Sequence, residues 1–265
     1  MTTLQDYRQI IRNQDRYEQT IRMRPDVQRS IDYFQQNIGK ITSADELLKD
    51  DKLYRFVMEA FDLSSQIFAK GLMKKVFSEG VTDNHSTANR MNDPKFKEIA
   101  TVLSFAETGG APLKEPKVVQ AIIDRFVQAR LEVSAEETNP AVRLALYFER
   151  KAASINNWYQ VFADPALQKV VFTVLALPDQ TARQDLDRLK DRISTKLDIT
   201  DFKDPQKVRK FLDRFAAMYD MQNGPAQTSA NLAASLIRPL SAGRRASIIS
   251  IDPATTMALL KFPRF

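Results

Sequence analysis

The chain has 265 residues, a formal net charge of +6 and a hydrophobic fraction of 43%, which is enough apolar sequence for a packed core. It contains no cysteine and one histidine, so disulfides, cysteine zinc sites, thiol catalysis and two-histidine metal sites are excluded. The start lacks an apolar signal segment, and the longest apolar run, residues 170–177, is too short to span a bilayer. We therefore expect a soluble, cytoplasmic protein that does not insert into a membrane.

The first half of the chain predicts helices with defined starting points. One apolar face at helical spacing consists of Leu53, Phe56, Val57 and Ala60. Ser43 with Glu46 has the pattern of a capping box, in which each side chain binds a free backbone N–H of the first turn. Asp93-Pro94 places a capping carboxylate directly before a proline at the first helical position. The only Gly-Gly pair, Gly109-Gly110, marks the end of this unit.

The second half repeats much of the first. Residues 33–63 align without a gap on residues 147–177, with more identities than the about two that average composition gives. The identical pairs are Tyr33/Tyr147, Phe34/Phe148, Ile41/Ile155, Asp50/Asp164, Leu53/Leu167, Val57/Val171 and Leu63/Leu177. Asn139-Pro140, Asp164-Pro165 and Asp204-Pro205 continue the pattern of capped helix starts. The pattern predicts two related units, residues 1–110 and 111–222.

The predicted fold class is all-α: two tandem related helical-bundle repeats with a C-terminal tail. Further apolar stripes at helical spacing support helices through the second unit, as at Val119, Ile122, Ile123 and Phe126, and at Val208, Leu212, Phe215 and Tyr219. Only residues 245–251 alternate like a strand, and we favour an extended tail segment over a sheet there. The aromatic pairs at residues 33–34 and 147–148 are expected to pack in the core, with a binding groove as the alternative.

Few residues in the sequence suggest catalysis. His85 lies in a polar stretch and is expected in an exposed loop, and the glycines form no phosphate-binding motif. Asp50 and Asp51 resemble a carboxylate pair, but Asp164-Pro165 occupies the equivalent place in the second unit, which favours a helix cap. We predict that the chain is not an enzyme and has no catalytic, cofactor-binding or metal site.

Positive charge is concentrated in the predicted tail, residues 223–265. Its bases include Arg238, Arg244 and Arg245, and its only acid is Asp252. Three interpretations remain open: a solvated basic tail, a tail that docks on an acidic partner, and a tail that binds nucleic acid. Nucleic acid is the least favoured, because the tail offers only two terminal phenylalanines for stacking on bases.

Residues 43–105 resemble a known family. The similar segments are residues 43–48, residues 51–53 with 59–63, and the most specific segment, residues 87–96. They are similar to a bacterial domain-of-unknown-function family, number twelve-seventeen, which is often found in duplicate and whose genes tend to lie among flagellar basal-body and motor genes. The second unit keeps Asp204-Pro205 but lacks the Ala-Asn-Arg motif, so a binding role for Asn89 and Arg90 would belong to the first unit alone.

The resemblance implies a non-enzymatic structural or adaptor protein associated with bacterial flagellar assembly or motor function. It would act through contacts with other proteins, flagellar components among them, either in the cytoplasm or after export to the flagellum. The predicted partner-binding residues are Asn89, Arg90, Arg238, Arg244 and Arg245. The alternative function is a cytoplasmic regulatory or nucleic-acid-binding module that uses the basic tail.

Overall fold

The computed structural model describes residues 2–223, and the regular structure in this range is entirely helical, as predicted. The helices are α1 (Thr3–Arg12), α2 (Gln14–Arg22), α3 (Pro25–Asn37), α4 (Ala44–Lys49), α5 (Asp51–Ala60), α6 (Lys70–Glu79), α7 (Thr87–Arg90), α8 (Pro94–Leu103), α9 (Phe105–Thr108), α10 (Pro116–Thr138), α11 (Pro140–Ala152), α12 (Trp158–Ala163), α13 (Pro165–Val174), α14 (Leu186–Ser194) and α15 (Pro205–Asn223). Short 3₁₀ segments join several of them. The strand-like residues 245–251 and the tail arginines lie outside the described residues.

The predicted caps form because each supplies an oxygen to the free N–H groups of a first turn. Asp50 accepts from the backbone N–H groups of Lys52 and Leu53, and Asp93 accepts from that of Lys95. Ser43 accepts from the backbone of Glu46, as expected. The reciprocal bond of a capping box is displaced by one residue, since the Glu46 carboxylate accepts from the backbone N–H of Thr42. The helix starts were therefore predictable from local sequence.

The gapless sequence match between the two halves is accompanied by matching helix ends. At paired positions, α4 and α12 start and stop together, and so do α5 and α13. Asp62 and Ala176, also paired, both have positive φ, at 60° and 52°. In both places the chain then turns back, and the backbone N–H of the next residue, Leu63 or Leu177, donates to a carbonyl of the preceding helix at 2.8 Å.

Two hydrophobic cores lie within one compact unit that includes residues 2–223. The first core extends from Ile21 to Leu131, and the second includes Ala135 to Phe215 together with Tyr7 of α1. Helix α10 belongs to both cores, and α1 packs on α11 and α15 of the second. The packing therefore divides within α10, whereas the predicted division of the chain follows the turn at residues 109–110.

None of the helices within residues 2–223 is both long enough and apolar enough to cross a bilayer.

Candidate functional site

A cluster of poorly exposed charged side chains lies between the two cores. It consists of Asp62, Lys95, Glu132, Arg150, Lys151 and Asp164 together with the Tyr147 hydroxyl, and we name it the central cluster. Its charged side chains are only 4% to 21% exposed. Because a buried charge is costly unless it is paired and hydrogen-bonded, the pairing within the cluster decides what it can do.

Arg150 is the centre of the cluster. Its guanidinium donates to both oxygens of Asp62 at 2.9 and 3.0 Å. It also donates to both oxygens of Glu132 at 2.7 and 2.9 Å. Asp62 follows α5 in the left-handed region, which aspartate tolerates better than most residues. One arginine thus connects the end of α5 with α10 through two bidentate pairs, the geometry that suits guanidinium best.

Asp164 forms the second connection of the cluster. The carboxylate caps α13 and accepts the Tyr147 hydroxyl at 2.5 Å. It also accepts the Lys95 ammonium of α8 at 2.9 Å. The corresponding first-half pair, Tyr33 and Asp50, has a hydroxyl–carboxylate bond of 2.7 Å. The Tyr-Asp bond is therefore formed in both halves, but only the second pair receives a lysine from the other half.

Burial and pairing shift the acids of the cluster in opposite directions. Burial raises the pKa of Asp62, but hydrogen bonds and charge from Arg150 and Lys151 outweigh burial and hold that pKa below its usual range. The balance is similar for Asp164: burial raises its pKa, but Lys95 and Tyr147 lower it by more. Burial dominates at Glu132 and raises its pKa in spite of Arg150. The contacts nevertheless pair each of the three acids of the cluster with at least one of its three bases.

The described residues contain no group of three or more histidine, cysteine or acidic side chains that is arranged to hold a metal ion. The carboxylates of the central cluster are engaged by arginine, lysine and tyrosine donors instead. The arrangement can join the two cores and orient their helices. Its two sides also form the walls of two clefts.

A cleft of about 470 Å³ lies on one side of the cluster and is lined by more bases than acids. Its charged residues are Lys95, Arg125, Arg150 and Lys151, with Glu98 and Asp164. A second cleft, of about 800 Å³, has the opposite balance, and we name it the acidic cleft. Its acids are Glu59, Asp62, Glu132, Glu136, Asp164 and Asp179, and its bases are Lys95, Arg130, Arg143 and Lys169.

The predicted binding residues of the family motif line neither of these two clefts. The Asn89 amide donates to the backbone carbonyls of Val81 and Asp83 at 2.7 and 2.8 Å, so this side chain closes the loop before α7. Arg90, at the end of α7, is exposed. His85 is exposed in the same loop, as expected. Arg238, Arg244 and Arg245 lie outside the described residues.

The sequence interpretation did not identify the central cluster. A partial signal existed, because Tyr147 and Asp164 are each identical to the residue they align with in the first half, and those two first-half residues are bonded in the same way. No comparable pattern marks Arg150 or Glu132, whose role depends on how the two cores meet. Asp50 is a helix cap, as expected, while Asp51 forms a surface pair with Lys70.

Comparisons with known proteins identify the family. The family model described as "Protein of unknown function (DUF1217)" matches residues 60–208, which is more than half of the chain and extends across both halves. The crystal structure of protein AGR_C_984 from Agrobacterium tumefaciens is similar, with a TM-score of 0.77 and 34% identity over 83% of this chain and 94% of that one. A search of curated proteins finds no match. The chain belongs to the DUF1217 family.

Proposed function

We propose that this DUF1217 protein is a non-enzymatic structural or adaptor protein associated with bacterial flagellar assembly or motor function. It acts through contacts with other proteins, in the cytoplasm or after export to the flagellum. The flagellar assignment rests on the family resemblance of residues 43–105 and the genes that accompany that family. The surface of the protein supports the protein-binding part of the proposal.

The observation that carries this part is the exposure of Phe68. Its side chain is 90% exposed in the connection between α5 and α6, within the residues that match the family. Aromatic side chains are enriched at the centres of protein interfaces, where a few of them supply most of the binding free energy. Two further exposed side chains, Tyr159 and Leu186, lie on the packed helices α12 and α14. Both positions offer contacts to a partner.

The central cluster supports a structural role for the described residues. Its basic side chains and carboxylates form ion pairs that connect α8, α10, α11, the end of α5 and the start of α13. A body fixed in this way presents its surface residues in a constant arrangement. This suits a protein that positions partners.

The test is a clean deletion in a motile host, followed by complementation. We expect the deletion to reduce flagellation or swimming, and Phe68→Ala to restore these functions less well than the wild-type chain. Met23→Ala is the matched control, since Met23 is 71% exposed but lies outside the residues matched by the family model. Normal flagellation and swimming after deletion would contradict the proposal.

The predicted binding residues are tested by affinity capture from motile cells. We expect Arg90→Ala to lower partner recovery without changing stability, because Arg90 is an exposed side chain. A chain that ends at Met221 lacks Arg238, Arg244 and Arg245 and is expected to lose partners bound by the tail. Unchanged recovery with both variants would remove these residues from the proposal.

We also propose that the two halves derive from one duplicated helical unit. The identical residues, the paired bounds of α4 with α12 and α5 with α13, and the two Tyr-Asp bonds support this. A crystal structure of the protein should allow the backbones of residues 33–63 and 147–177 to superpose. Failure to superpose would refute the duplication.

A further inference from the structure

A third cleft, of about 480 Å³, is lined by residues of α3, α5 and α10, and we name it the α3–α5 cleft. It has more bases than acids: its charged residues are Arg29, Lys52, Arg55 and Arg130, with Asp26 and Glu59. Arg130 pairs with both acids, because its guanidinium lies 2.9 Å from Asp26 and 3.6 Å from Glu59. The other three bases of the cleft are thus left without either acid.

These three bases have no carboxylate partner within residues 2–223. Arg29 and Arg55 are exposed, and the acids near them pair with other bases. Lys52 is also exposed, and its ammonium lies 4.8 Å from the centre of the Tyr33 ring. The Tyr33 hydroxyl is itself fixed by its hydrogen bond to Asp50. Two packed helices therefore present unneutralised positive charge to one cleft.

Bases occupy two matching positions in the second half. Arg55 aligns with Lys169 in the gapless match between the halves. Arg29 and Arg143 each lie one helical turn before one of the two aligned tyrosines. Arg143 and Lys169 line the acidic cleft, as Arg29 and Arg55 line the α3–α5 cleft. The two clefts therefore share a pair of basic positions.

The second half supplies these bases with carboxylates of its own. Arg143 pairs with Glu136 of α10, and Lys169 pairs with Asp179 at 3.0 Å. The first-half residue at the position of Asp179 is Ser65, which is uncharged. The second half thus shows which ligand these basic positions take, namely side-chain carboxylates. In the first half, a carboxylate from another molecule can make the same contacts.

The floor of the α3–α5 cleft favours an acidic protein segment over nucleic acid. The rings of Phe34, Phe56 and Phe126 stack on one another with centroid distances of 4.2 and 3.9 Å, and they are at most 4% exposed. Single-stranded nucleic acid gains much of its affinity from bases that stack on aromatic side chains. Since these rings are covered by each other, binding at this cleft depends on charge. Arginine pairs with carboxylates through two parallel hydrogen bonds.

We propose that the α3–α5 cleft binds an acidic segment of a partner protein, whose carboxylates pair with Arg29 and Arg55, with Lys52 as a third cation. This inference rests on the proposed function as a protein-binding adaptor and specifies one of its contact sites. The carboxylates of the partner take the place that Glu136 and Asp179 have in the acidic cleft. Charge complementarity accelerates the encounter and excludes basic partners.

The experiment measures the affinity of the full chain for a fluorescent peptide of alternating glutamate and serine by anisotropy, at about 0.1 M salt. A peptide of alternating lysine and serine is the reverse-charge probe, and single-stranded oligothymidylate of equal charge is the nucleic-acid probe. The test variant combines Arg29→Gln with Arg55→Gln. The control variant combines Arg188→Gln with Arg192→Gln, which gives the same net charge. The control arginines are exposed on α14 and line none of the three clefts.

We expect the glutamate-serine peptide to bind and the lysine-serine peptide to bind far more weakly. The test variant should bind the glutamate-serine peptide about tenfold more weakly than the wild-type chain, which is ~1.4 kcal/mol. The control variant should change this affinity by less than about twofold, since distant exposed charges are largely screened. Oligothymidylate should bind more weakly than the glutamate-serine peptide. Circular dichroism and thermal melting should show both variants folded, because all four arginines are exposed.

Four results would each overturn the inference: no binding of the glutamate-serine peptide, equal binding of the two peptides, equal affinities of the test and control variants, or tighter binding of oligothymidylate than of the peptide. The last result would make the cleft a nucleic-acid site. Failure here is distinguishable from failure of the proposed function. If the cleft does not bind the peptide while the deletion still abolishes swimming, the adaptor proposal stands and this contact site is wrong. If the deletion has no effect on motility but peptide binding that depends on Arg29 and Arg55 persists, the reverse holds.

Discussion

Replacing Arg150 with methionine tests whether the central cluster holds the two cores together. Methionine keeps much of the apolar stem and removes the guanidinium, and with it four N–H···O bonds of 2.7 to 3.0 Å. Asp62 keeps Lys151 at 3.1 Å, but Glu132, with a side chain only 4% exposed, loses its arginine donors. Removing one partner of a buried pair costs about 3–5 kcal/mol, because the remaining charge stays buried without compensation.

We therefore expect Arg150→Met to lower the free energy of unfolding by about 3–5 kcal/mol at pH 7, measured by urea denaturation with circular dichroism. Arg143→Met is the matched control on the same helix, because its pair with Glu136 has side chains 42% and 45% exposed. Such exposed pairs contribute about 0–1 kcal/mol. Adding Glu132→Gln to Arg150→Met should recover part of the loss, since it removes the unpaired buried charge. The reasoning is refuted if Arg150→Met costs no more than Arg143→Met.

Three further predictions concern single positions and pH. Tyr147→Phe removes the buried 2.5 Å hydrogen bond to Asp164 and should lower the free energy of unfolding by about 1–2 kcal/mol. Tyr33→Phe affects the more exposed first-half pair and should lower it less. The urea midpoints of the two variants measure this difference. Gly80→Ala should lower the free energy of unfolding by at least about 1–3 kcal/mol, because φ is 65° and a Cβ would lie 2.1 Å from a Glu107 oxygen. Gly71→Ala has open space around it and should instead raise the stability of α6 by about 0.5–1 kcal/mol. Thermal melts measure both changes. The two aspartates of the central cluster have lowered pKa values, so they stabilise the fold above their unfolded pKa of about 3.9, and the urea midpoint should decline as the pH falls below about 4. A midpoint that stays constant from pH 5 to pH 3 would contradict this assignment.

The features that the sequence predicted are those with local causes. Asp93 and Asp164 were identifiable as caps because a cap needs only its own side chain and the next two or three backbone N–H groups. The apolar stripe of α5 was identifiable because helical spacing determines which residues share a face. Arg150 gave no such signal, because Asp62 and Glu132 reach it only after α5, α10 and α11 have packed.

Asn89 has a structural role in addition to the partner binding predicted for it. An Asn-Arg pair in a specific motif suggested partner binding, but the Asn89 amide donates to two backbone carbonyls of the preceding loop. Such a bond fixes a turn regardless of any partner. Loop closure gives Asn89 a structural role, Arg90 is exposed, and partner binding by these two residues stays a prediction.

The position of Lys95 suggests why the family motif is kept in one half only. Lys95 follows the Asp93-Pro94 start of α8, and its ammonium crosses to Asp164 of the second half. The matching position after Asp204-Pro205 is Gln206, an uncharged residue that cannot form an ion pair of this kind. One lysine is enough to form this contact between the two halves, so the second half does not need a lysine at the matching position. Lys95→Gln should then weaken this contact and raise the pKa of Asp164 toward its usual value, because Lys95 is the strongest influence lowering it. NMR titration of Asp164 measures that shift. An unchanged pKa would contradict the conclusion that the lysine of the motif connects the two halves through Asp164.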